Sequence, residues 1–404
     1  MIEILCFTLL GIGIGCITGI IPGMHLNNFL PALVALVPLI GIENTCSLII
    51  SIAVSQNFFS FFSSTFLGAP DESTALNVLP AHKLLMKGKG LNAIFYQATG
   101  AFFASLFSFI LIFLCYPFFK EVYSMTRPWV AWILGLVTIL MILSEKGRKK
   151  IFSLLVTFLS ATLGFITLNL LPLKNSIFPL LSGFFGVPTL LISLKNQAKL
   201  PEQKLEVEKS LRWKQLGLAS LFGSLSGMLA GLLPAIGVSQ FAYLFTFQNP
   251  SPEFFLSVSG GINLANEVFS LFSLFLIGNP RSGASVAIQR ILSNLTFNHF
   301  LIFLSVILIS LGTSYFALLY FSKFFVSFIS SLNYKFLNLL ALSLILLSTL
   351  CFVGPLGILI LVTSTSIGLL ANFFRIKRTH CMSSLIIPTL TFFLGLNPLI
   401  LKFL

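Results

Sequence analysis

The chain has 404 residues, 56% of them hydrophobic and only 9% charged, with a formal charge of +13. Soluble globular chains carry roughly 25% charged residues, so this composition excludes a soluble fold and calls for lipid as solvent. The basic residues sit in short connections between apolar runs, which excludes a nucleic-acid groove and gives them a topological role.

Met1-Ile2-Glu3 has no basic n-region, and no small-residue cleavage site precedes Pro22, so the opening segment reads as a retained span and not a signal peptide. It carries Gly11, Gly15 and Gly19 and runs into Pro22-Gly23. Glycines four apart offer a smooth face to another helix. Pro beside Gly breaks a helix, and at membrane depth a break is tolerated only where it is buried or lines a polar cavity. Asn27 and Asn28, just past this break, are therefore candidate solute ligands, whereas the lone His25 reads as a hydrogen-bonded structural residue.

The next interruption is Gly68-Ala69-Pro70-Asp71-Glu72-Ser73-Thr74, which has the form of a helix start. Backbone N–H groups there, with Ser73 and Thr74, suit a carboxylate, and Asp71 or Glu72 suits a proton or Na⁺. The plain alternative is a cytoplasmic loop over 68–90 with both acids solvated beside Lys83 and Lys87. Runs 91–119 and 151–173 follow as spans, separated by the basic cluster 145–150, with Trp129 and Trp132 as interface anchors. Residues 195–215 are the one long polar stretch, with six basic and three acidic residues, and read as a cytoplasmic linker.

Beyond the linker the pattern returns. A shift of 212 lays Gly11, Gly15, Gly19 and Pro22 on Gly223, Gly227, Gly231 and Pro234, with Gly237 following as part of that break. A shift of 210 lays 51–70 on 261–280, pairing Gly68 and Pro70 with Gly278 and Pro280. Within this stretch Asn266-Glu267 faces Gln56-Asn57, and an unpaired carboxylate at the centre of a span costs at least about 2.5–3.5 kcal/mol. Glu267 is thus expected to be protonated, hydrated or ion-bound, unless it lies near the membrane surface. After Pro280, Arg281 could clasp a carboxylate at two points, with Ser282 and Gly283 beside it. Runs 296–322 and 336–374 are further spans, the latter long enough for two. The six cysteines show no CxxC pairing and imply neither disulfide nor metal site.

Equivalent loops of the two halves differ in charge. The cluster 145–150 faces residues about 350–360 without Lys or Arg, and Arg375-Ile376-Lys377-Arg378 faces only Lys174. Equivalent loops on opposite sides of the membrane would differ in this way. The expected architecture is an all-α polytopic membrane protein of about 10–12 segments, built from two inverted-topology repeats with discontinuous or re-entrant helices. Repeat one is 1–194, the linker 195–215 and repeat two 216–404, with both termini on the non-cytoplasmic side of the cell membrane.

These motifs resemble the large membrane subunit of the tripartite tricarboxylate transporters, the TctA-like permeases, in a short archaeal-type form. The resemblance rests on Gly15-Cys16-Ile17-Thr18-Gly19-Ile20-Ile21-Pro22-Gly23, on Leu67-Gly68-Ala69-Pro70 with Ala81-His82-Lys83-Leu84-Leu85-Met86-Lys87-Gly88-Lys89-Gly90 downstream, and on Gly231-Leu232-Leu233-Pro234-Ala235-Ile236-Gly237. It implies carboxylate uptake with a small membrane subunit and an extracytoplasmic binding protein. Departures from the family pattern are Met24-His25-Leu26-Asn27-Asn28 and Asp71-Glu72.

The reading that follows is a secondary transporter moving a small organic anion by ion-coupled alternating access, with H⁺ or Na⁺ as coupling ion and no other cofactor. A channel would need a continuous polar pore where this chain has isolated polar islands. An intramembrane enzyme fits less well, since no HExxH or GxSxG occurs. A lipid-translocating protein would share the architecture, and a homodimer is left open.

Overall fold

A computed structural model gives the fold, described for all residues except 72, 172, 174, 196–200, 209, 233–237, 239–240, 243–244, 246–250, 293, 331–333 and 404. The described residues are helical with no strand, as lipid demands of a backbone that finds no water to bond. Among them ten helices are long and apolar enough to cross a membrane. The protein is an all-α polytopic membrane protein.

The first half contains α1 (Ile2–Ile20), the short α2 (Leu30–Val34) and α3 (Val37–Ile40), α4 (Ile42–Phe62), α5 (Val78–Leu85) and α6 (Gly90–Cys115). A wide π turn, Ser63–Leu67, prolongs α4. Next come α7 (Phe119–Thr126) and α8 (Val130–Leu143), which meet at a 65° bend, then α9 (Lys149–Phe165), α10 (Ile177–Leu181) and α11 (Val187–Lys195). The second half contains α12 (Trp213–Leu232), α13 (Pro252–Ile277), α14 (Gly283–Ile291), α15 (Phe297–Ser330), α16 (Tyr334–Phe352), α17 (Pro355–Phe373), α18 (Ser383–Phe393) and α19 (Asn397–Phe403). The run 336–374 does hold two spans, divided at Gly354, whose φ of 85° ends one helix and starts the other.

The repeated glycines make the same contacts in each half. A Cβ on Gly15 would lie 1.9 Å from Ser55 Oγ, and one on Gly227 would lie 2.5 Å from Ala265 Cβ. Gly11 meets Leu48 and Ser51 while Gly223 meets Val258 and Gly261, and Gly19 meets Phe59 while Gly231 meets Phe269. Each partner in the second half stands 210 residues after its counterpart. The rising order of these contacts makes α1 parallel to α4 and α12 parallel to α13. Segment 21–41 therefore has to recross the height of α1, and it does so as an unwound stretch followed by α2 and α3.

The halves interlock. Near the middle of α4 and α13 the amide Nδ2 of Asn57 lies 3.4 Å from Oε1 of its own counterpart, Glu267. Helix α6 runs alongside α13 in the same direction, since Gln97 meets Gly260 and Phe119, just past α6, stacks edge-on to Phe272 at 4.7 Å. Helix α4 runs alongside α15 in the same way, from Glu43 near His299 to Phe62 against Phe325. A core bundle of α1, α4, α6, α12, α13 and α15 results, and α8–α11 with α16–α18 form a second bundle beside it.

The basic connections gather at one end of the molecule. Lys149 Nζ donates to the Arg375 carbonyl at 2.9 Å, and Glu145 Oε1 accepts the Lys377 N–H. The Arg378 guanidinium donates to Thr189 Oγ1 and to the Phe185 carbonyl at the start of α11. Linker residues bind the α5–α6 turn: Lys204 N–H donates to the Gly88 carbonyl, Gln203 bridges Gly90 and Leu85, and Tyr96 OH accepts from Ser210 and Leu211. Glu208 pairs with Lys204 and Lys89, whose ammonium groups draw its carboxyl down to about 2.

Candidate functional site

Helix α1 stops because Pro22 disfavours helical backbone at the residue before it, and Ile21 is indeed extended, with Gly23 left-handed at φ 79°. The carbonyls freed by this break must find donors. Pro22 O accepts from Ser348 Oγ at 2.6 Å, Gly23 O from Asn28 Nδ2 at 2.9 Å, and Met24 O from Gln56 Nε2 at 2.6 Å. Gln56 Oε1 also takes the Leu26 N–H at 2.9 Å, so a single side chain pins both edges of the unwound stretch.

Beside this break lies a cavity of about 400 Å³, where the two bundles meet. The core bundle contributes Pro22, Gly23, Asn27, Asn28, Gln56 and Ser60, and Pro70 and Asp71 close it from the second interruption. The flanking bundle contributes Leu168, Leu173, Asn175, Ser176 and Phe178, with Phe352 from the end of α16. Among the described residues that line it there is no Lys or Arg.

The two proline interruptions of the first half, far apart in sequence, thus share one chamber. Asp71 sits there with three donors converging on Oδ1: Ser73 Oγ at 2.8 Å, Thr74 N–H at 2.8 Å and Thr74 Oγ1 at 2.6 Å. Ser73 and Thr74 accordingly serve Asp71 and do not line the chamber. His25 accepts the Asn27 N–H on Nδ1 and lies within reach of the Asp71 charge.

Most of the candidates from the second half stand one layer behind. Glu267 accepts from Asn57 Nδ2, lies near Ser282 and adjoins a void of about 10 Å³, about the smallest that holds a water. A Cβ on Gly283 would fall 1.9 Å from Asn27 Oδ1, so the Pro280 interruption backs directly onto the first break. Asn266 lies where α13 passes Gly227. Arg281 turns elsewhere: its guanidinium donates to the Leu232 carbonyl at the end of α12 and lies 5.7 Å from the Tyr123 ring centroid. That carbonyl is at the negative end of a helix dipole, a natural seat for a cation. The N–H groups of Arg281 and Ser282 are both taken by Ser270 Oγ. Glu72, Pro234 and Gly237 lie outside the described residues.

Sequence reading did not single out Gln56, Ser60, Asn175, Phe178 or Phe352 as site residues. Gln56 was visible as a carboxamide in an apolar span beside Asn57; the flanking residues gave no signal, because nothing local says that 168–178 meets the α1 break. Among the described residues no three His, Cys, Asp or Glu side chains converge as a metal would require.

A chamber lined by both polar and apolar groups beside a broken helix, in a chain with ten helices able to cross a membrane, defines a polytopic membrane protein with room for a small molecule. The chain belongs to the tripartite tricarboxylate transporter TctA family, whose model matches residues 5–383. It is therefore a transporter component and not an enzyme. It is also 30% identical over 403 residues to MJ1079 of Methanocaldococcus jannaschii, which is itself named only as an uncharacterized protein, covering 96% of this chain and 99% of that one. No solved structure matches the chain.

Proposed function

We propose that this protein is a secondary transporter of the cell membrane that carries small organic anions, carboxylates foremost, by ion-coupled alternating access between two inverted repeats. The observation that carries this reading is the chamber at the α1 break, where unwound backbone, carboxamides and hydroxyls meet at membrane depth. Inverted-repeat transporters hold their solutes at such breaks.

Helix directions support the inversion. Asn57, past the middle of α4, meets Glu267, while Phe275, further along α13, stacks on Phe300 beside the His299–Glu43 pair at the start of α4, so α4 and its counterpart α13 run in opposite directions. Helix α6 follows α13 and its counterpart α15 follows α4, which opposes that pair as well. The gathering of 82–89, 145–150, 201–212 and 375–380 at one end supports a cytoplasmic linker. In this reading Glu267, bonded by Asn57 and near Ser282 where the repeats cross, takes the coupling H⁺ or Na⁺. Asn27, Asn28 and Ser60 meet the solute, and Asp71 brings one negative charge to be matched. Work with a small membrane subunit and an extracytoplasmic binding protein follows the family and belongs to the same proposal.

The test is flux into liposomes holding the purified chain, with radiolabelled carboxylates under imposed H⁺ and Na⁺ gradients. Uptake driven by one gradient, with that dependence lost in Glu267→Gln, is the expected result. Flux indifferent to both gradients and unaffected by Glu267→Gln defeats the coupling, and no carboxylate flux at all defeats the reading.

A further inference from the structure

The chamber has two unlike sides. The core side presents Asn27, Asn28, Gln56, Ser60, Ser63 and Asp71, with His25 near Asp71 and the apolar Ile21 and Met24 at the break; the flanking side presents Leu168, Leu173, Ile177, Phe178 and Phe352, relieved among the described residues by Asn175 and Ser176. A solute with several carboxylates would have to press charge against that apolar side, and buried charge without a partner is strongly disfavoured. It would also bring anions toward Asp71. The three donors on Asp71 Oδ1 are the arrangement of a carboxylate that only accepts, and such a group asks for a cation from whatever enters.

We infer that the solute is a zwitterion with an apolar body, namely an α-amino acid bearing a large aliphatic or aromatic side chain. Its ammonium meets Asp71, its carboxylate meets the amide donors of Asn27 and Asn28, and its side chain lies against Phe178 and Phe352. This rests on the transporter reading above and narrows the carboxylates it concerns. The size agrees: about 400 Å³ is at the low end of the roughly 300–1,000 Å³ typical of small-molecule pockets.

The experiment compares uptake of radiolabelled leucine and phenylalanine with 4-methylpentanoate and 3-phenylpropanoate, which keep the skeleton and carboxylate but lack the amine, and with citrate. The purified full chain in liposomes is used. A charge-assisted hydrogen bond lost with the amine predicts a preference of at least about tenfold for the amino acids. Asp71→Asn keeps an acceptor for the Thr74 N–H, so the turn stays capped, and it should abolish that preference. Phe178→Ala should weaken phenylalanine uptake more than that of alanine. Equal or better transport of the deaminated acids or of citrate by the unaltered protein overturns the inference and leaves the carboxylate reading standing. A preference that survives Asp71→Asn overturns the assignment of the ammonium to that residue. Failure of every carboxylate, amino acids included, overturns both.

Discussion

Replacing Gln56 by Met keeps the volume of the side chain but removes the two hydrogen bonds that hold Met24 and Leu26 across the break in α1. Two backbone groups are then left without partners, each worth about 1–3 kcal/mol when buried. The Met24 carbonyl borders the chamber and can turn to water, so the sum falls at the lower end, about 2 kcal/mol, or roughly a 30-fold shift toward an open segment. Amide hydrogen exchange followed by mass spectrometry on the peptide over 23–29 reads this directly. Gln56→Met should speed exchange at Leu26 by that factor while peptides from α6 and α13 stay as they were. Unchanged exchange at Leu26 would mean that the break is held by something other than Gln56, and the account of the chamber wall would fail with it.

Gly15→Val places new atoms where Ser55 Oγ would be 1.9 Å from the Cβ, and overpacking of that kind costs about 1–3 kcal/mol, seen as a lower melting temperature in detergent. Gly217→Val, on the same helix type with nothing within 4 Å, should leave the melting temperature in place. Burial holds the His380 imidazole below the usual histidine range against the pull of Glu145, with Lys377 and Arg378 also near. The folded state then prefers neutral His380, so stability is full above about pH 6.5 and is lost as pH falls below it. Melting curves between pH 7.5 and 5.5 should show that loss, lessened in His380→Asn; His82, lowered by burial and by Arg378, titrates in the same window and supplies the remainder. Single cysteines at Lys149 and Lys377 should both react with an impermeant maleimide only from the cytoplasmic side, and labelling of either from outside would reverse the assignment of that end.

Glycine and proline spacing pointed to a duplication, because close helix contact and helix interruption each demand particular residues that chance rarely repeats in order. The contacts of Gly11, Gly15 and Gly19 with α4, reproduced by Gly223, Gly227 and Gly231 with α13, are what those spacings encode. The recrossing by 21–41 was not legible: α2 and α3 together are too short to register as a span, and only the parallel course of α1 and α4 reveals it. Asn27 and Asp71, which line the chamber, were singled out from the neighbouring prolines. Arg281 was expected at the solute, and its guanidinium donates to the Leu232 carbonyl, since the last carbonyls of a helix also attract a cation. The flanking side of the chamber depends on tertiary contact alone, so Phe178 and Phe352 could not have been read from their surroundings.

The interlocking of α4 with α15 and of α6 with α13 means that neither sequence half owns a complete interior. Expressed alone, either half would present to lipid the serines and amides its partner normally covers, so the two should yield folded protein only when produced together. Any motion that turns the chamber toward the opposite side has to slide one bundle along the other, since parting the halves would unpick four long helices at once. The boundary that matters mechanically therefore runs along the seam between Asn27 and Phe178, and the linker that divides the chain has little bearing on it.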